Sequence, residues 1–227
     1  HPPANRPSVS LLMQEYRQEW RRQFLTRQPR IFDASMIDSL RQGTAFFASA
    51  SMIAIGGGVA LMGNSALLVG IAGDLPIPAD TTAFRLHALL VIAFLANALL
   101  KFIWSHRLFG YCAILMAAVP NDHTDPRATH RAEQAGDLNI TAAKSFNRGL
   151  RSIYFALGSL AWSLGPYALI VATLFTSAVL IRREFASTSR AIMLRGAQAY
   201  PLRPTTPPPP ILPPIPTTAN NRLIGSI

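Results

Sequence analysis

The sequence predicts an all-α integral membrane bundle of about four transmembrane helices, with an N-terminal amphipathic helix and a disordered Pro-rich C-terminal tail. Three observations carry this. Half of the 227 residues are hydrophobic and only 14% are charged, where a soluble domain carries about 25% charged residues. Two long stretches, Arg41 to Asp74 and Arg151 to Arg182, contain no charge between their end residues. The cations gather beside these stretches: 18 of the 21 Lys and Arg lie in residues 1–41, 120–151 and 182–227.

These facts also exclude classes. The apolar content is too high for a disordered chain. A single cysteine, Cys112, excludes a disulfide scaffold. A net charge of +10 suits nucleic acid, but the placement of the cations beside apolar runs points to anionic lipid heads instead.

Taken in order, residues 1–41 form an N-terminal segment. It begins at His1, as a trimmed or partial chain would, and shows no signal peptide. Within about 8–26, Leu12, Tyr16, Trp20 and Phe24 recur every four residues, with arginines mostly on other faces. This is an amphipathic helix that either lies on the membrane surface or packs on the protein's own charged side. Residues 42–185 form the membrane domain. The first span is expected at about 43–62, long enough for a core of roughly 30 Å. Ala50, Ala54 and Gly58 repeat along it at a spacing that favours close helix packing. Residues 64–85 read as a loop with a short apolar stretch at 66–72. The second span runs from about 84 to 107 and extends to 119 as one long helix ended by Pro120. Residues 121–145 read as a polar segment holding at least one short helix. The long charge-free run divides at Gly165-Pro166 into spans of about 146–164 and 166–183, with Pro at a first turn where no donor is lost. Residues 186–227 form the tail, with nine prolines between Pro201 and Pro216. Such a run is polyproline II or disordered, a spacer or a PxxP ligand.

The basic segments all fall on one side if four spans place both termini in the cytoplasm of a bacterial inner membrane. Ionisable groups within or beside spans are then the site candidates. Lys101, His106 and Arg107 interrupt the second span, so they form an anion or lipid-head site or snorkel at its boundary. Arg148 and Arg151 share a helix face at the mouth of the third span. With Arg41 and Arg107 they are expected to converge beneath the bundle, opposite Asp33 and Asp38, as a phosphate pocket or a salt-bridge layer. No metal site is expected, because the histidines lack ligand spacing and there is no CxxC. No cofactor is expected, and no nucleophile elbow, P-loop or HExxH occurs.

Several segments carry a resemblance. They are Arg30-Ile31-Phe32-Asp33, Phe46-Phe47-Ala48-Ser49, Phe102 through Tyr111 with Trp104-Ser105-His106-Arg107, Phe146-Asn147-Arg148-Gly149-Leu150-Arg151, and Gly165-Pro166 with Arg182-Arg183-Glu184-Phe185. Over roughly residues 16 to 190 the chain resembles the uncharacterised membrane-protein family catalogued as domain of unknown function 599, found in proteobacteria and plants. That resemblance implies a multi-span architecture and no assigned activity. The expected function is a non-enzymatic scaffold or accessory subunit working with anionic lipids and other membrane proteins. The alternative is a small transporter or channel using Lys101 and Arg107.

Overall fold

The computed structural model describes residues 7–64, 70, 73 and 81–199. Among them the chain is entirely helical. The elements are α1 (Val9–Thr26), α2 (Ile31–Gly63), α3 (Thr81–Ala117), α4 (Pro126–Ser159), a 3₁₀ turn (Leu160–Leu164), α5 (Pro166–Phe185) and α6 (Thr188–Ala199). Apart from Gly70, the expected apolar stretch at 66–72 lies outside the described residues, as does the tail beyond 199; residues 188–199, expected as the start of the disordered tail, instead form α6.

Local chemistry sets the helix ends. The Ser8 hydroxyl accepts from the Leu11 N–H and starts α1. Asp125 caps α4, accepting from the Arg127 N–H at 2.8 Å, with Pro126 at the first position. Gly165, at φ 114°, makes the turn between the 3₁₀ segment and α5; that region excludes most side chains. Arginines complete the end of α3. Arg30 donates to the carbonyls of Val119 and Pro120, and Arg131 donates to that of Ala118. These carbonyls belong to the three residues that follow α3, at its negative pole, where cations are favoured.

At 33, 37 and 34 residues, α2, α3 and α4 are about 50 Å, 55 Å and 51 Å long at 1.5 Å per residue. Each exceeds a hydrocarbon core of about 30 Å. Two of them, α2 and α3 from Thr82, are long and apolar enough to cross a membrane, and only 6% and 11% of their apolar stretches are buried. The helix expected only in part within residues 121–145 is the continuous first half of α4. Its core face is mostly alanine, with Asn139 and Ile140 among them, so it reads as polar in sequence.

The α3–α4 seam explains this. Ala128, Ala135, Ala142, Gly149 and Ala156 stand seven residues apart, and all are buried. Opposite them α3 buries Ala98, Phe102, Ser105, Phe109 and Cys112 at alternating steps of four and three. This is the heptad spacing of antiparallel helices packed knobs into holes. At Gly149 a Cβ would stand 2.6 Å from a ring carbon of Phe102, so only glycine admits that ring. On α2 the buried positions Ile37, Thr44 and Ser51, with Gly58 against Ile92, are again seven apart. Ala50 and Ala54 are exposed. Steps of four advance by about 40° each around a helix, so an Ala50–Ala54–Gly58 stripe drifts off the seam. Phe47, Phe102 and Phe146 join α2, α3 and α4, with ring centroids 5.4–5.5 Å apart.

Serines add cross-links. Ser105 donates to the Ala142 carbonyl, Ser145 to that of Lys101 and Ser152 to that of Phe94. Asn97 in turn donates to the Ser152 hydroxyl at 2.9 Å. In an apolar setting such bonds contribute about 0.6 kcal/mol each.

The fourth position of the bundle changes occupant along its length. In the charged section α1 stands upright against α4: Phe24 packs with Val119, Ala128 and Ala132, and Leu12 is buried. Packing on the protein, one of the two compatible readings of the amphipathic helix, is what the structure shows. In the apolar section α5 takes the place beside α4, with Thr176 against Gly158. The two meet end to end, where the Glu184 carboxylate accepts from the Ser10 N–H at 3.1 Å.

Candidate functional site

The charged section holds a buried polar chain. Arg17 of α1 donates to the Asn139 carbonyl oxygen, and the Asn139 amide lies 4.0 Å from the Cys112 sulfur. Asn139 is 2% exposed, and burial pulls Arg17 below its usual pKa. Beside it lies a cavity of about 20 Å³, lined by Arg17, Trp20, Phe24, Cys112, Met116 and Asn139. That is space for about one water. At the turn into α2, Asp33 is fully buried and accepts from Trp20 Nε1 and from Arg27. Its second oxygen has no hydrogen-bond partner.

The arginines expected to converge come from three helices: Arg41 from α2, Arg107 from α3, and Arg148 and Arg151 from α4. Arg107 donates to the Tyr111 hydroxyl at 2.8 Å on its own helix. Asp33 pairs with Arg27, and Asp38 accepts from Gln42. Both expected counter-charges are therefore engaged by neighbours close in sequence. Lys101 is half-buried, and its carbonyl serves Ser145. His106 lies in the α2–α3 seam, with Nδ1 3.2 Å from the Thr44 hydroxyl and 3.3 Å from the Arg41 carbonyl. Thr44 gives its own proton to that carbonyl at 2.7 Å, which assigns the histidine proton to Nδ1.

Arg148 and Arg151 are exposed on α4, where the charge-free run begins. On α5, the exposed Arg182 and Arg183 precede Glu184, which lies within the reach of the Arg151 charge. Arg183 donates to the Tyr154 hydroxyl, with its guanidinium 5.6 Å from the ring centroid. Arg148 and Arg151 stand out in the sequence as site candidates, whereas Arg183 and Tyr154 come together only in the fold. The pairing joins residues 29 apart, and its one signal was the Arg-Arg pair ending an apolar run.

Glu184 is the carboxylate of this rim. Partial burial pushes its pKa up. Hydrogen bonds from Ser10 and Ser8, with the Arg151 charge, outweigh that and hold it below the usual range. Among the described residues, no group of His, Cys, Asp and Glu is placed to hold a metal ion.

The family model described as "Protein of unknown function, DUF599" matches residues 1–189. The chain belongs to the DUF599 family. No curated protein and no solved structure matches it. The segments that carry the sequence resemblance have structural places in this DUF599 chain. Arg30 caps α3, Asp33 anchors α1 to α2, Phe102 fills the Gly149 notch, and Arg148 to Arg151 begin the basic rim.

Proposed function

We propose that this DUF599 protein is a four-span protein of the bacterial inner membrane with both termini cytoplasmic, and a non-enzymatic scaffold or accessory subunit for other membrane proteins. The observation that carries the reading is the exposed apolar band around one half of the bundle. Phe46, Ile53, Leu90, Leu100, Leu157, Val171 and Phe175 all face outward there, and α5 has no fully buried residue. A contiguous apolar surface of this kind belongs against lipid or another protein. The charged section, with α1 upright, then projects below the membrane as a docking platform.

The experiment has two arms. In a Cys112→Ser background, a cysteine at Asn64 should react with an impermeant maleimide on intact cells. Cysteines at Thr124 and Ser189 should react only after permeabilisation. Any other pattern defeats the topology. Native purification in nanodiscs, followed by protein mass spectrometry, should recover a stoichiometric membrane-protein partner. If the protein purifies alone and conducts a solute across liposomes in a K101Q/R107Q-sensitive way, the scaffold reading fails in favour of a transporter.

A further inference from the structure

We propose that the rim formed by Arg148 and Arg151 on α4 and Arg182 and Arg183 on α5 is a headgroup site for an anionic glycerophospholipid, with Tyr154 orienting Arg183. The inference rests on the insertion of α5 proposed above and goes beyond it in naming the ligand.

Charge is the first argument. Four exposed arginines sit at this corner, and Glu184, the nearby carboxylate, is spent on the Ser10 N–H. Arg148 and Arg182 make no ion pair among the described residues. The rim is therefore a net positive surface awaiting an anion. Guanidinium groups bind phosphate as planar forks, and two on adjacent helices can grip both free phosphate oxygens.

Depth is the second argument. Residues 152–181 carry no charge, so the arginines begin where the apolar surface ends. Arg148 stands about 4.5 Å below Arg151 along the helix. That fits a headgroup layer of roughly 5–7 Å on each side of the hydrocarbon. Above the rim, Leu157, Leu174 and Ile181 are exposed and offer an apolar track for acyl chains.

Preorganisation is the third. Tyr154 holds Arg183 through both its hydroxyl and its ring face, so the guanidinium need not be ordered on binding. On α3, Arg107 meets Tyr111 through the same two contacts, but on its own helix; the Arg183–Tyr154 pair instead ties α5 to α4.

The test is native mass spectrometry of the full chain, released from nanodiscs of phosphatidylcholine doped with phosphatidylglycerol. Retained phosphatidylglycerol is expected, with little phosphatidylcholine. R151Q/R183Q should weaken retention by about thirtyfold, at roughly fivefold per arginine near a membrane surface. R148Q/R182Q removes groups without internal ion pairs, so it should fold normally and still weaken retention several-fold. R22Q/R127Q, at the far end of the charged section, should match wild type. Equal retention of the two lipids, or wild-type retention by R148Q/R182Q, overturns the proposal. So does competition by millimolar inorganic phosphate, which would assign the rim to a free anion. In the Cys112→Ser background, a cysteine at the exposed Leu164 separates the two levels of failure. Labelling by an impermeant maleimide only after permeabilisation defeats the insertion of α5, whereas labelling on intact cells without headgroup preference defeats the lipid site alone.

Discussion

Asp33 concentrates the chemistry of the α1–α2 turn in one carboxylate. It is fully buried, and its bonds to Trp20 and Arg27 tie the end of α1 to the start of α2. Removing the charge leaves the Arg27 cation, which is a third exposed, without its partner. Breaking a fully buried pair costs about 3–5 kcal/mol, so Asp33→Asn should cost about 2 kcal/mol at this partly solvated site. Thermal unfolding in detergent measures it. Asp125 acts through pH instead. Hydrogen bonds from the Arg127 side chain and backbone hold its pKa at about 2. A depressed carboxyl stabilises the fold above its ordinary pKa of about 3.9 and loses that contribution as pH falls toward 2. Wild type should therefore lose stability across that window faster than Asp125→Asn, whose amide still caps the helix. Parallel pH profiles would dismiss the capping role.

At the scale of the element, the seam of α4 makes the sharpest forecast. Gly149→Ala places a methyl into the ring of Phe102, which is fully buried and cannot retreat. Overpacking of this kind costs about 1–3 kcal/mol. Gly136→Ala meets the Cδ of Arg21 at 2.8 Å, a flexible side chain that can swing aside. The second variant should unfold close to wild type and the first clearly below it; equal losses would show that the seam tolerates repacking. These elements also show what the sequence discloses. The ends of α1 and α5, the Gly165-Pro166 break and the length of α3 were all legible, because caps, prolines and charge-free runs are local signals. The first half of α4 was not. Its seam of alanines carries almost no hydrophobic signal, because Phe24, Phe102 and Phe109 on the partner helices supply the bulk. The basic rim was half legible, because Arg183 and Tyr154 meet only through folding. Of the arginines expected beneath the bundle, Arg107 turns to Tyr111 on its own helix, a local pairing that the charge pattern does not disclose.

At the scale of the molecule, three continuous helices pass through two stacked bundles, and only the fourth position is shared between chain segments. The joint between α1 and α5 is therefore the natural place for the charged section to loosen while the apolar section stays packed. Its fastener is Glu184, whose carboxylate accepts from the N-terminal turn of α1, where the helix dipole favours negative charge. Because its pKa is depressed on folding, the contact is fully present above the ordinary glutamate value of about 4.3 and is lost as pH falls through the lower folded value. Glu184→Gln removes the charge at every pH. Hydrogen exchange of the variant at neutral pH should show faster exchange over residues 9–16, since only about 1 kcal/mol of dipole and hydrogen-bond energy is lost there. Protection across α3 and α4 should not change, because their seam does not pass through Glu184. If protection falls equally in α1 and α4, the two sections unfold as one unit, and the stacked-bundle account of the molecule is wrong.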